Sequence, residues 1–220
     1  GPFLPDGGSA YFASVNRGKR SIALDLKVPA DRETFLQLAR RADVLVENFR
    51  PGTMEHLGLQ EDVLRAQNPG LIIASATGFG HGNARSHLPA YDVIVQAVSG
   101  LMSITGQDAA HTARVGSSIS DILTGMFTAL GIVATLRSRV PRPGATLDVA
   151  MLDATVAVLE NAVCRMDVTG QVPRPIGTRH PSIAPFQAYQ AADGPLVIAA
   201  GNETLWRKLC ELLDAPELWD

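Results

Sequence analysis

Short apolar runs alternate with amphipathic stretches over the first two thirds of the chain. Residues 21–26 alternate between apolar and polar as a strand does, Pro29 and Asp31 open an amphipathic helix, and residues 44–46 form a short apolar run. A strand, a helix and a second strand at this spacing predict a βαβ unit, and the two strands of such a unit are parallel.

The same alternation continues to about residue 170. Further segments fit it, namely strands at 71–75 and 145–150, helices at 61–67, 91–102, 118–137 and 152–168, and a basic turn at 141–144. Consecutive βα units with apolar strands are typical of a doubly wound, Rossmann-like α/β domain. Ligands of such sheets bind beyond the carboxyl ends of the strands, which here are residues 47–49 and 77–80.

The period changes beyond a stretch at 170–185 that is rich in proline and glycine. Two alternating runs, 186–190 and 195–199, flank Asp193 and Gly194 and predict a β-hairpin with a helix behind it.

Two domains follow from this organisation. We predict a Rossmann-like domain over residues 1–172, lacking its N-terminal part, and a linker with the beginning of a smaller α+β domain over residues 173–220. Since the chain starts at a glycine and stops just after an amphipathic helix, we expect a piece of a longer protein.

Composition narrows the class of protein. Hydrophobic residues make up 46% and charged residues 19%, which is typical of a soluble globular chain, and the net charge of -3 does not favour nucleic acid as a partner. The most apolar helix, 119–136, carries Asp121 and is expected to be too short and too polar to span a bilayer. We expect Cys164 and Cys210 to be buried thiols in a reducing compartment, hence a cytoplasmic protein.

One acidic residue stands where a strand turns into a helix. Asp153 follows the strand residues 147–150, and a carboxylate there either interacts with the helix dipole or serves as a nucleophile or base. The residues alone favour the helix dipole. Asp148, within the strand, is the weaker catalytic candidate.

Two loops suit a phosphorylated ligand. Residues 47–52 read Glu-Asn-Phe-Arg-Pro-Gly and lead into a helix that Thr53 can cap, so backbone N–H groups there can bind phosphate, although an ordinary turn explains them equally well. Residues 16–20 form a basic cluster that is either a phosphate contact or a solvated loop. The five histidines have no metal-binding spacing, so we expect no metal.

Several motifs occur in a fixed order along nearly the whole chain, at residues 14–26, 42–52, 68–72, 77–80, 89–93, 99–106, 121–131, 151–154 and 193–198. In this order they resemble the family III CoA-transferases. The resemblance implies an enzyme that moves CoA from an acyl-CoA to a carboxylic acid, with Asp153 as the nucleophile that forms an aspartyl-CoA thioester.

The resemblance also implies how the substrate binds. Lys19, Arg20, Asn48 and Phe49 would contact CoA, and Tyr91 would line the site near the thioester. CoA is then a substrate, no cofactor is bound permanently, and the partners are acyl-CoA and carboxylate molecules. The full-length protein is expected to be an interlocked homodimer.

Two alternatives stay open. An α-methylacyl-CoA racemase of the same superfamily would carry Gly-His-Asp where this chain has Ala90-Tyr91-Asp92, and a fragment could bind CoA without turning it over. Within the transferases, the stretch at 177–185 is similar to that of members acting on dicarboxylic acids such as succinate, and Arg179 and His180 could meet the second carboxylate.

Overall fold

The computed structural model describes residues 1–138 and 144–219, so most of the turn expected at 141–144 lies outside the described residues. The strands are β1 (Val44–Glu47), β2 (Ile72–Thr77), β3 (Gly106–Asp108), β4 (His111–Thr112), β5 (Ala145–Ala150), β6 (Phe186–Ala191) and β7 (Gly194–Ala199). The longer helices are α2 (Pro29–Ala39), α4 (Glu61–Gln67), α5 (Asp92–Val98), α7 (Ile119–Arg137), α9 (Asn161–Thr169) and α10 (Glu203–Leu212). The shorter ones are α1 (Ala10–Val15), α3 (Thr53–His56), α6 (Leu101–Ile104) and α8 (Met151–Val156), followed by a 3₁₀ helix, Pro216–Trp219.

A three-stranded parallel sheet organises the first part of the chain, in the order β1-β2-β5. Ala74 pairs with Val46 on one side and with Leu147 on the other, so β2 is the central strand. Four of its six residues are buried, and one of them, Ile73, belongs to a core cluster with Ala39, Leu64 and Leu71. The predicted α/β fold with a parallel sheet is confirmed.

The strand predicted at 21–26 is wrong. These residues adopt no strand, and Ile22 is exposed. Alternation gives a segment the side-chain pattern of a strand, but a strand also needs a hydrogen-bonded neighbour, and none of the described strands pairs with this segment.

Two predicted helices are each divided in two. The helix predicted at 91–102 breaks at Gly100, whose φ of 90° is left-handed and ends the helical path before α6 begins. The helix predicted at 152–168 breaks before α9, where Glu160 has a φ of 46°. Their apolar pattern continues through both breaks, so periodicity alone could not reveal them.

The long helix α7 packs with its small polar residues inward. Ser120, Thr124 and Thr128 are buried, and each threonine hydroxyl donates to the carbonyl four residues earlier at 2.7 Å. Large apolar side chains on the same helix are exposed instead, among them Ile122, Met126, Leu130 and Val133. This arrangement lets α7 approach β5 and α8 closely, since small side chains lie between them.

By length and composition α7 could cross a membrane, with a mean hydropathy of 1.7 over its apolar window, so the expectation that it is too short and too polar is wrong on these measures. The core helices of soluble proteins meet the same two criteria, and the evidence for a membrane span is therefore weak.

The predicted hairpin is confirmed as an antiparallel pair, β6 with β7, in a sheet of its own, followed by α10. Cys210 on α10 is buried as expected, whereas Cys164 on α9 is exposed. The expectation for Cys164 is wrong because its apolar neighbours on α9, such as Val163 and Met166, are themselves exposed.

Candidate active site

A cavity of about 550 Å³ opens at the carboxyl ends of the parallel strands. The residues after β1, the turn after β2, the start of α8 after β5, and the first turns of α5 and α7 all contribute to its walls. Representative lining residues are Asn48, Phe49, Gly78, Tyr91, Asp121 and Met151. This is the edge of an open α/β sheet where ligands bind.

Hydrogen bonds fix the chain after β1. The amide of Asn48 donates to the carbonyl of Ala76, which ties this segment to the neighbouring strand β2. The backbone N–H of Phe49 donates to a carboxylate oxygen of the buried Glu47 at 2.8 Å. The Phe49 ring remains 46% exposed, so it offers an apolar surface to the cavity.

The turn after β2 lies against the segment that carries Tyr91. A methyl group at Gly78 would collide with the side chain of Ala90, so only glycine allows this approach. The carbonyl of Gly78 also accepts the backbone N–H of Leu152 at 3.1 Å. The turn therefore links the start of α8 to the wall of the cavity.

A second acidic residue organises the start of α7. Asp92 accepts the Gln96 amide at 2.7 Å with one carboxylate oxygen and the backbone N–H of Ser120 at 2.8 Å with the other. Asp121 follows Ser120 in the chain and lines the cavity together with Asp92. Partial burial raises the pKa of Asp121, and the negative charge of Asp92 raises it further.

Three of the residues singled out from the sequence come together in this cavity, namely Asn48, Phe49 and Tyr91. Lys19 and Arg20 are exposed, and neither is among the described residues that line it; the ammonium of Lys19 instead donates to the side chain of Asn16 at 3.1 Å. Their contact with CoA stays a prediction.

Asp153 lies in the first turn of α8, as its sequence position indicates, and is exposed. It is not among the described lining residues of the cavity, although Met151, two positions earlier, is. Its role as the nucleophile stays a prediction.

Sequence reasoning gave Asp121 no chemical role, although the residue opens the motif at 121–131. The available signal was a single carboxylate in the first turn of the most apolar helix. A charged side chain in that position needs a polar partner, water or a ligand.

Of the residues that the structure describes, no group of three or more histidine, cysteine and acidic side chains could hold a metal ion. The described lining residues of the cavity offer aromatic, amide, guanidinium and carboxylate groups.

The fold and the site define a class of protein: an α/β protein whose ligand cavity, beyond the ends of its parallel strands, contains a carboxylate. The chain belongs to CoA-transferase family III, whose family model matches residues 1–220, and this confirms the resemblance inferred from the sequence.

Named relatives and a solved structure agree with this assignment. The chain is 48% identical to an acetyl-CoA:oxalate CoA-transferase of Acetobacter aceti, covering 99% of this chain and 56% of that protein. It is 42% identical to a succinyl-CoA:mesaconate CoA-transferase of Haloarcula hispanica, covering 99% and 57%. A crystal structure of a CAIB/BAIF family protein from Brucella suis superposes with a TM-score of 0.87 at 36% identity, covering 99% and 59%. The chain thus spans just over half the length of these relatives.

Proposed function

We propose that the protein is a CoA-transferase that moves CoA from an acyl-CoA to a dicarboxylic acid. The observation that carries the proposal is the cavity that Asn48, Phe49, Tyr91 and Asp121 line together. The two named relatives act on oxalate and mesaconate, which are both dicarboxylic acids, and this supports an acceptor of that class.

Asp121 is the better-supported nucleophile within this proposal. Of the described residues lining the cavity, only Asp92 and Asp121 carry carboxylates. Both oxygens of Asp92 accept hydrogen bonds from protein groups, which leaves Asp121 to meet a substrate. A raised pKa makes its ionised form a stronger base and nucleophile.

The chemistry proceeds by acyl exchange. A carboxylate oxygen of Asp121 attacks the thioester carbonyl, the C–S bond breaks, and a mixed anhydride and CoA thiolate result. The thiolate then attacks the aspartyl carbonyl and releases the donor acid, which leaves an aspartyl-CoA thioester. The acceptor carboxylate attacks the carbonyl of this thioester, the C–S bond breaks, and a second mixed anhydride and CoA thiolate result. The thiolate attacks the acceptor carbonyl of this anhydride, which gives the acceptor acyl-CoA and releases the aspartate carboxylate. Asp121 is regenerated, and the thioester bond energy is retained.

Trapping the covalent intermediate tests the proposal. The full-length protein is incubated with acyl-CoA and then with hydroxylamine, and its peptides are analysed by mass spectrometry. We expect the hydroxamate on the peptide that contains Asp121, in the wild type and in Asp153→Asn alike. A hydroxamate on the Asp153 peptide would return the role to Asp153, and no CoA exchange with any carboxylate would refute the transferase.

The racemase alternative predicts a different observable. Two-base proton exchange needs a base on each face of the acyl group, and Tyr91 stands where the racemases carry a histidine. We expect no exchange of the α-hydrogen when the protein meets a 2-methylacyl-CoA in heavy water. Rapid exchange that is lost in Tyr91→Phe would favour the racemase.

The homodimer and the cytoplasmic location also stay predictions.

A further inference from the structure

We propose that Arg50 binds the second carboxylate of the acceptor acid and so selects dicarboxylates; this inference rests on the transferase function proposed above. Arg50 lies three residues after β1, in the wall shared by the large cavity and a neighbouring cavity of about 290 Å³.

The backbone around Arg50 is held in place. Its carbonyl accepts the backbone N–H of Thr53 at 3.0 Å, and Gly52 adopts a φ of 87°, which closes the turn before α3. On the other side, the bond from Phe49 to Glu47 fixes the entry to the turn. The backbone of Arg50 is thus held in a defined position, and its side chain is exposed.

Charge makes Arg50 stand out. Of the described residues that line the large cavity, Arg50 is the only lysine or arginine, whereas Asp92 and Asp121 are both acidic. A dicarboxylate whose first carboxylate reacts at Asp121 brings a second negative charge into surroundings that are already acidic. A guanidinium can bind that carboxylate through two parallel hydrogen bonds, which a monocarboxylic acid cannot use.

Arg50 is also available to a ligand. Its side chain makes no hydrogen bond or ion pair within residues 1–138 and 144–219. Most acids of the smaller cavity have other partners: Glu47 accepts from Phe49, Glu61 pairs with Arg65 at 2.6 Å, and Asp148 binds His81 at 3.0 Å. Glu55 also lines the smaller cavity, but no ion pair joins it or any other acid to Arg50 within the described part of the chain.

Arg179 and His180, suggested from the sequence for the same task, line a different cavity together with Glu160 and Arg165. Neither is among the described lining residues of the cavity that contains Asp121. Among the described lining residues, Arg50 is the cation that shares a cavity with the proposed nucleophile.

The test compares acceptors that differ by one charge. Succinate and its monomethyl ester are given to the full-length protein, its Arg50→Gln variant and its Arg50→Lys variant, and kcat and KM are measured for each acceptor and for the acyl-CoA donor. We expect the KM for succinate to rise about 10- to 100-fold in Arg50→Gln, as for a lost charge-assisted hydrogen bond. The KM values for the monoester and the donor should stay within about twofold of wild type. Arg50→Lys keeps the positive charge but loses the pair of parallel hydrogen bonds. Its KM for succinate should therefore lie between the values of the wild type and Arg50→Gln.

Arg41 provides the matched control, because it is an exposed arginine three residues before β1, at the opposite end of the same strand. Arg41→Gln removes the same charge and should keep the wild-type preference for succinate. An unchanged preference in Arg50→Gln, with or without a higher donor KM, would overturn the inference, and a higher donor KM would assign Arg50 to CoA. Loss of the preference in Arg179→Gln instead would overturn it as well. In each of these outcomes the transferase function stands, whereas a wild type that transfers CoA to neither acceptor refutes that function itself.

Discussion

The first turns of α7 and α8 each carry an aspartate, yet the surroundings of the two side chains differ. Asp121 on α7 lines the large cavity next to Asp92, and its pKa is raised by partial burial and by that neighbouring charge. Asp153 on α8 follows a strand directly, which is the position that favours it in the sequence, but it is not among the described residues that line the cavity. The comparison teaches that a place after a strand does not by itself put a carboxylate in a cavity, and the proposed chemistry needs space for the substrate.

The largest expected effect separates the two aspartates by activity. Asp121→Asn should lower the turnover of CoA exchange by about 10³-fold or more, because the nucleophile is lost while the shape is kept. Asp153→Asn should change turnover by less than about fivefold, since surface substitutions away from the chemistry have small effects. Steady-state exchange of a labelled carboxylate measures both. The opposite ranking of the two variants would reverse the comparison.

A second prediction concerns the turn that links the two helix starts. Gly78→Ala should destabilise the protein by about 1–3 kcal/mol, because the added methyl group collides with Ala90 while the Gly78 carbonyl holds Leu152. Urea unfolding of the full-length protein measures the change.

Two further variants make that test specific. Gly116→Ala should cost less than about 0.5 kcal/mol, because nothing lies within 4 Å of the added methyl group. The double variant Gly78→Ala/Ala90→Gly should recover most of the loss, since it removes the colliding methyl group from the other side. Equal losses for Gly78→Ala and Gly116→Ala would show that close packing at this turn is unimportant.

The smallest effect is a shift in pH dependence. Only the ionised carboxylate of Asp121 is a nucleophile, so kcat/KM should fall on the acidic side, and a raised pKa places this limb above the ordinary aspartate value of about 3.9. Asp92→Asn removes a negative charge beside Asp121, which lowers its pKa and moves the limb to lower pH. The exposed Asp62→Asn is the control and should leave the limb in place. If the acidic limb of kcat/KM moved equally in both variants, the charge of Asp92 would have no specific effect on the pKa of Asp121.

The sequence predicted the fold better than the site. β1, β2, β5 and the hairpin were predictable because each is a short apolar or alternating run bounded by turn residues. The segment 21–26 has the same pattern but forms no strand. Whether a segment pairs with a neighbouring strand depends on other parts of the chain, so its own sequence does not determine the pairing.

The candidate site depends on contacts across the sheet. Asn48, Phe49 and Tyr91 could be named from motifs, yet that they share a cavity with Asp121 follows from the topology, which places the ends of β1 and β2 beside the start of α7. A carboxylate at the start of an apolar helix has an ordinary explanation in the helix dipole. The cavity in front of Asp121 and the neighbouring charge of Asp92 distinguish it from such a residue, and both follow from the tertiary structure.

The outward apolar face of α7 has a consequence for how temperature acts on the protein. Met126 and Leu130 are each 64% exposed, while Thr124 and Thr128 of the same helix are buried. Apolar surface that leaves water on association contributes mainly entropy near room temperature, and the attraction weakens on cooling. Any assembly that covers this face will therefore dissociate more at low temperature than at room temperature. Its size distribution, measured by size-exclusion chromatography, will depend on the temperature of the column.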